Sequence, residues 1–567
     1  MLLKNGFSVI AAETGRFCIG VLCVREICFF GVCEKTDFFF CVSSSADKEE
    51  KEMLQIRNLT ITHKKDLRNL IEDFSFVLRP GDKTVLIGEE GNGKSTLLKL
   101  IYKEQLVEEY VTWSGEIIRN GVRTGYLAQE MRQEAQNCQV YEYFAENPLF
   151  YDWTPKELAD LGRNFGFSLE FFYSDQQVAT LSGGEKVKLQ LARILMERPD
   201  VLLLDEPSND IDLETLEWME DFICQTSLPV LYISHDEYLM ERTANSVIHL
   251  EQTMRKTKPR WTVARVPYRT YMEERGHSLQ RQEEQARSEK REYEKQQEKF
   301  RRIQQSVEYK QATITRQNPS GGRLLKKKMH AVKAQERRFE KQWEERTEVP
   351  DTEDAIYLRL GRQIPMPKGK EVLDYELDQL TADGKLLAEK IHLRIRGPEK
   401  VCIIGKNGVG KTTLLKRIAR ELLSRKDLHA AYMPQNYGDL LPGEKTPLDF
   451  LQTKGDKEEL TRIRTWLGSM KFTVEEMEHP IRELSGGQKA KLFFMKMSLE
   501  ESDVLILDEP TRNFSPMSNP VIRRILADYQ GAILCVSHDR KFIEEVCTEV
   551  YELTRDGLKR SSLVGNE

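Results

Sequence analysis

Long apolar runs are missing from this chain. No uncharged stretch approaches the roughly 18–20 residues that cross a bilayer; the best candidate, Phe17 to Val24, stops at Arg25 and Glu26. The N-terminus carries Lys4 and a few apolar residues but no small-residue cleavage site, so a cytoplasmic protein is expected. Paired cysteines are scarce too. Cys138, Cys224, Cys402, Cys535 and Cys547 stand alone, without the short spacings of zinc sites. Cys18, Cys23, Cys28, Cys33 and Cys41 crowd the first 52 residues with no histidine nearby. That segment reads as a Cys-rich extension, not necessarily native, ahead of a natural domain start at Met53. Nor does one sign of charge dominate. The formal net charge is −6, and 40% apolar with 31% charged residues fits folded domains rather than disorder. At 567 residues, three or four domains are expected.

What the chain has is a long-range duplication. Gly88-Glu89-Glu90-Gly91-Asn92-Gly93-Lys94-Ser95 and Gly405-Lys406-Asn407-Gly408-Val409-Gly410-Lys411-Thr412 both match G-x-x-x-x-G-K-[ST]. Each follows a strand-like apolar run, Thr84 to Ile87 or Val401 to Ile404. Each precedes a helix-like run opening at Thr96 or Thr413. That context marks a phosphate loop. Leu181-Ser182-Gly183-Gly184-Glu185 recurs as Leu484-Ser485-Gly486-Gly487-Gln488. Val201-Leu202-Leu203-Leu204-Asp205-Glu206 recurs as Val504-Leu505-Ile506-Leu507-Asp508-Glu509, and Ser234-His235-Asp236 as Ser537-His538-Asp539. Ser182 lies 23 residues before Asp205 and Ser485 lies 23 before Asp508; each aspartate lies 30 before its histidine. Two copies of one folded unit explain such spacing.

The loop chemistry follows from backbone physics. Glycines let N–H groups converge on phosphate oxygens without Cβ clashes, and the following helix adds partial positive charge. Gly88, Gly91, Asn92, Gly93 and Thr96, with Gly405, Asn407, Gly408, Gly410 and Thr413, form the expected ATP cradles. Lys94 and Lys411 are expected to reach the β- and γ-phosphates, and the Ser95 and Thr412 hydroxyls to ligate Mg²⁺.

These four motifs in this order resemble the ATP-binding cassette ATPases over about 53–255 and 351–567. The resemblance implies two α/β phosphate-loop nucleotide-binding domains packed head to tail within one chain, as a monomer. ATP would be sandwiched between each phosphate loop and the other cassette's signature. Ser485, Gly486 and Gly487 would then face the ATP of Lys94, and Ser182, Gly183 and Gly184 that of Lys411. The resemblance further implies that Asp205, Asp508, Gln129 and Gln435 serve the metal. Glu206 and Glu509 would polarise the attacking water, and His235 and His538 would contact the γ-phosphate. One departure stands out: the second copy holds Ser515 where the first has Asp212, so the two sites are expected to differ.

Between the cassettes, at 256–350, composition changes. Residues 255–346 hold 26 Lys/Arg against 13 Asp/Glu. Leu279, Ala286, Tyr293, Phe300 and Val307 recur every seven residues. Leu325, Met329, Val332, Phe339 and Trp343 form a second stripe. Asn318-Pro319-Ser320-Gly321-Gly322 reads as a turn. This predicts a helical hairpin of two ~27-residue helices reaching about 40 Å. Its tip is basic, with Lys310, Arg316, Arg323, Lys326, Lys327 and Lys328, which suits a polyanion. Fused cassettes, no membrane domain and a basic helical linker resemble the ABC-F family. Members bind the ribosome at the tRNA exit site, with the linker directed at ribosomal RNA and the peptidyl-site tRNA. Some are translation factors, and others protect ribosomes from antibiotics. The rival reading is an ATPase subunit that energises a separate membrane transporter. A DNA-repair ATPase, with zinc-binding cysteine pairs inside its cassettes, fits less well, and no sequence-specific DNA binding is expected.

Overall fold

The computed structural model describes residues 53–209, 211–253, 258–313, 319–344, 360, 365–382, 384–453 and 455–561. Of the first 50 residues it describes two two-residue pairings, Ile10–Ala11 with Phe17–Cys18 and Leu22–Cys23 with Glu26–Ile27. Those residues form a unit of their own, Met1–Glu50. The cysteine side chains of that unit, and Arg316, lie outside the described residues.

Lys51–Glu567 form the second unit, and its two halves repeat one architecture. The first half's main sheet runs, in spatial order, Lys258–Ala264, Ser246–Thr253, Lys83–Gly88, Val230–Ile233, Val201–Asp205 and Thr124–Leu127. The second half's runs Gly557–Arg560, Glu549–Thr554, Lys400–Ile404, Ala532–Val536, Val504–Asp508 and Ala430–Met433. In both sheets the outermost strand of the first-named edge is antiparallel and the rest are parallel. Their central strands are buried along their whole length, as parallel strands covered on both faces must be. This is why they read as unbroken Val/Ile/Leu runs. Antiparallel strands cover one face of each main sheet: Leu54–His63 with Asn69–Leu78 and Val111–Ile118, and Glu371–Ala382 with Lys385–Arg396. The first sheet continues to Ala264, past residue 255.

Between the halves stand two helices, Tyr268–Thr313 and Pro319–Glu344. At 46 and 26 residues they would span about 69 and 39 Å. The first is far longer than its periodicity suggested because its base belongs to the first cassette. Tyr268 and Tyr271 are buried in that cassette's core, the Tyr271 hydroxyl meets His249 at 2.8 Å, and Arg275 donates to Glu251 at 2.5 Å. Ala286, Phe300 and Val307 are buried, and Phe300 meets Phe339 edge-on at 6.0 Å, so the seam is real. Asn318, the first residue of the expected turn, lies outside the described residues. Pro319 through Gly322 are helical, because proline at a first helical position forfeits no hydrogen bond and presets φ. Among the described residues, no helix is long and apolar enough to cross a membrane.

A charged contact holds the two cassettes together. The buried Arg523 guanidinium, on the helix Asn519–Ala527, donates to both Glu237 oxygens at 2.7 and 3.4 Å and to Glu545 at 2.8 Å. Lys541 adds contacts to Glu237 at 3.1 Å and Glu241 at 2.5 Å, and Arg540 reaches Glu220. Removing one member of a buried pair strands the other. Arg523→Ala should therefore destabilise the chain by about 3 kcal/mol, the low end for a broken buried pair because Lys541 remains. The urea midpoint measures it, and an unchanged midpoint would show that this pair does not hold the cassettes.

Candidate ATP sites at the cassette interface

Both phosphate loops lie between a central strand and the N-terminus of a helix, Lys94–Tyr102 or Lys411–Ser424. Gly88 and Gly405 have φ of 150° and 145°. A Cβ at either would come within 2.3 Å of the Leu250 carbonyl oxygen or 2.6 Å of that of Leu553. Gly91 and Gly408 share φ 78°, and Gly93 and Gly410 are also left-handed. Asn92 is buried and donates to the Leu250 carbonyl at 3.0 Å. Lys94 donates to the Gly88 and Glu89 carbonyls at 2.7 and 3.0 Å; Lys411 makes the same bonds to Gly405 and Lys406 at the same lengths. Thr96 and Thr413 follow in the two helices.

The acidic pairs end fully buried strands. Asp205 accepts from the Ser95 hydroxyl at 2.9 Å and from the Tyr126 hydroxyl at 3.1 Å. Asp508 accepts from Thr412 at 3.3 Å, while its second oxygen is buried without a partner. Glu206 and Glu509 follow with φ of 53° and 51°, a left-handed conformation that costs a non-glycine residue about 1–3 kcal/mol and clusters at functional sites. Glu206 accepts from Gln129 at 3.0 Å and from Asn209, and lies 3.3 Å from His235. Glu509 accepts from the His538 backbone N–H at 3.3 Å, and its side chain lies 3.8 Å from the His538 ring.

The two glutamates therefore sit in opposite electrostatic surroundings. Burial raises the Glu206 pKa, but hydrogen bonding and charge from His235, then Lys94 and Asn209, outweigh it and hold the carboxyl at about 2. Burial and the neighbouring Asp508 push Glu509 up to about 8, with the His538 N–H and Lys411 opposing only in part. Burial likewise raises Asp508 to about 6 and lowers His538 to about 4.

The signatures cap helices. Ser182 and Ser485 precede Gly183–Met196 and Gly486–Leu499. Each serine oxygen accepts the N–H of the residue three on, at 3.3 Å, and the Glu185 or Gln488 side chain accepts back at 2.8 or 2.9 Å. This reciprocal box is legible in S-G-G-E and S-G-G-Q. Gly184 packs where a Cβ would lie 2.3 Å from the Thr215 hydroxyl.

Across the interface the halves meet head to tail. A cavity of about 770 Å³ is lined by Gly183 of the first signature together with Asn407, Lys411, Thr412, Gln435 and Glu509. Gly408, Gly410, Thr413, Asp508, His538 and His235 also line it, whereas Ser182 and Gly184 do not. At the other interface Gly487 donates to Glu90 of the first phosphate loop at 2.7 Å, and an added Cβ on Gly486 would lie 3.3 Å from the same carboxylate. His235 Nδ1 meets the Phe514 carbonyl at 2.8 Å. Asp212 accepts from the Asn407 N–H at 3.5 Å, whereas Ser515 turns to Ser518 at 3.2 Å. Sequence reasoning missed Glu90, Tyr126, Asn209 and Phe514. For Asn209 a signal existed, since the second copy has Arg512 at the same offset.

A family model described as ABC transporter matches residues 71–209 and 388–512, one segment in each half. The ribosome protection protein VmlR of Bacillus subtilis is 29% identical over 90% of this chain and 88% of its own. The ABC transporter F family member 5 of Arabidopsis thaliana is 25% identical over 85% and 72%. The chain carries two ABC domains, and along most of its length it is similar to ABC-F proteins. Among solved structures, an archaeal complex of the stalk protein aP1 with the ribosome recycling factor aABCE1 matches with a TM-score of 0.54. Identity is 15%, over 88% of this chain and 89% of that chain. This is a likeness of fold: two ABC cassettes on one polypeptide. ABC domains as a family bind and hydrolyse ATP, and this chain carries two of them.

Gly405→Ala tests the second cradle. Positive φ and the 2.6 Å approach to Leu553 predict a loss of about 1–3 kcal/mol, read as a lower melting temperature, together with lost nucleotide binding at the large cavity. Unchanged melting and binding would contradict the cradle.

Proposed function

We propose that this chain is an ABC-F protein, a monomeric, cytoplasmic ATPase that acts on the ribosome, binding it with ATP between the cassettes and leaving after hydrolysis. The observation that carries the reading is the joining of two interface sites to a long basic helical hairpin within one chain. VmlR, a relative matched over nearly its whole length, bears the name of a ribosome protection protein, which supports the ribosome as partner. The finer role is a translation factor or a protector against antibiotics.

In this reading Lys94 and Lys411 neutralise the β- and γ-phosphates of ATP once their bonds to loop carbonyls are exchanged. Ser95, Asp205 and Gln129 would hold Mg²⁺ in the first site, and Thr412, Asp508 and Gln435 in the second. The buried, unpartnered Asp508 oxygen fits a cation ligand. Bound Mg²⁺ supplies charge neutralisation to phosphoryl transfer. Glu206 and Glu509 orient the attacking water and receive its proton, a role typically worth about 10²–10⁴ in rate. Glu206 is ready as a base at neutral pH, and Glu509 must first lose its proton. His235 and His538 stand beside these glutamates and contact the γ-phosphate. The signature N–H groups of Gly183 and Gly487 complete the sites across the interface.

The hairpin supplies the partner surface. Lys310, Arg323, Lys326, Lys327 and Lys328 are exposed. Such contacts position a protein on phosphates without reading sequence. Ribosomal RNA and peptidyl-site tRNA fit this surface; a cassette that energises a separate membrane subunit has no use for it.

Glu206→Gln/Glu509→Gln should hold the chain on ribosomes in ATP, read by co-sedimentation. Replacing Arg323, Lys326, Lys327 and Lys328 with alanine in that protein should reduce pelleting and flatten its salt dependence. A double variant that stays in the supernatant, or pellets with membranes instead, would overturn the ribosomal reading.

A further inference from the structure

The phosphate loops differ at two adjacent positions whose side chains face the partner cassette. After its first glycine the second loop carries Lys406 and Asn407; the first carries Glu89 and Glu90. Glu90 Oε2 accepts the Gly487 N–H at 2.7 Å. Gly487 is the second residue of a helix capped by Ser485. Its N–H is thus among the four that no helix satisfies internally, and the helix end favours an anion. Beside it, Lys471 donates to Glu89 at 2.9 Å. Both pairs join the first phosphate loop to the second cassette.

The carboxylate is closely seated. An added Cβ on Gly487 would lie 3.0 Å from Glu90 Oε2. The cavity between Glu89, Glu90 and the second signature measures about 40 Å³, room for a water or two. At the other interface a cavity of about 770 Å³ reaches from Gly183 of the first signature to Asn407, Lys411 and Thr412. There the Asn407 side chain carries no charge, and the charged neighbour Lys406 pairs with Glu214 at 2.8 Å on the exposed surface.

Polar partners divide the same way. In the first site both Asp205 oxygens accept hydroxyls, Glu206 is held by Gln129, Asn209 and His235, and His235 meets the Phe514 carbonyl. In the second site Asp508 Oδ2 and His538 Nδ1 are buried without partners. One site is internally satisfied, and the other presents groups that want a ligand.

We infer that Glu90 is a built-in anion that competes with the ATP phosphates for the second signature, so that the first ATP site is gated and the second fills first. This rests on the reading of both sites as ATP sites. The Gly487 N–H can serve the carboxylate or a phosphate oxygen, not both at full strength. Two carboxylates in one phosphate loop also repel an approaching triphosphate. ATP at the first site must displace Glu90, so this interface closes around nucleotide only at higher ATP concentration.

The test uses the full-length chain, Mg²⁺ and a fluorescent N-methylanthraniloyl ATP. Lys411→Ala leaves only the first site and Lys94→Ala only the second. Adding Glu90→Asn, the residue of the second loop, to Lys411→Ala should tighten binding about tenfold. Adding it to Lys94→Ala should change nothing. Glu90→Gln, which keeps length and an acceptor but drops the charge, should give a smaller gain in the same direction and guards against a fault peculiar to asparagine. Binding in Lys411→Ala that is unchanged or weakened by both substitutions would overturn the gate and leave the ATP reading standing. No binding by the unaltered chain would overturn the ATP reading, and the gate with it.

Discussion

In the proposed reading neither phosphate loop is complete within its own cassette, and this constraint organises the molecule. The N–H groups that can face a third phosphate start a helix of the opposite half. The chain must therefore fold two cassettes and hold them head to tail. The buried Arg523–Glu237 pair contributes to this holding. His235 to the Phe514 carbonyl and Asp212 to Asn407 carry the contact to the sites themselves.

Duplication gave the two sites one scaffold, and divergence has set them apart. The sheets share one strand order, and the left-handed glutamates fall at the same strand ends. Yet Glu206 is held at about 2 because His235 closes on it and outweighs burial, and Glu509 is pushed to about 8 because burial and then Asp508 act on it while His538 stands off. The loops differ in charge as well: Glu90 meets the second signature and Glu89 pairs with Lys471, whereas Asn407 is uncharged and Lys406 pairs with Glu214. In the proposed reading, unequal sites would load in sequence, which would give the cycle a direction.

Much of this was legible in the sequence because it is local. A phosphate loop, a capping box and a buried parallel strand are each written within a dozen residues, and the duplication repeats them at fixed spacing. The seam of the long helix was legible for the same reason, through Ala286, Phe300 and Val307. What stayed hidden depends on distant partners. Nothing near Glu90 announces Gly487, 397 residues on, and the helix base at Tyr268 looks polar until the first cassette covers it. Pro319 read as a turn because proline serves both turns and first helical positions, and only the fold distinguishes them.

The most direct test is a structure of the Glu206→Gln/Glu509→Gln chain with Mg²⁺ and ATP, by electron cryo-microscopy. The account predicts two nucleotides, one between Lys94 and Gly487 and the other between Lys411 and Gly183. Nucleotides held by each cassette alone, with the opposite signature turned away, would contradict it.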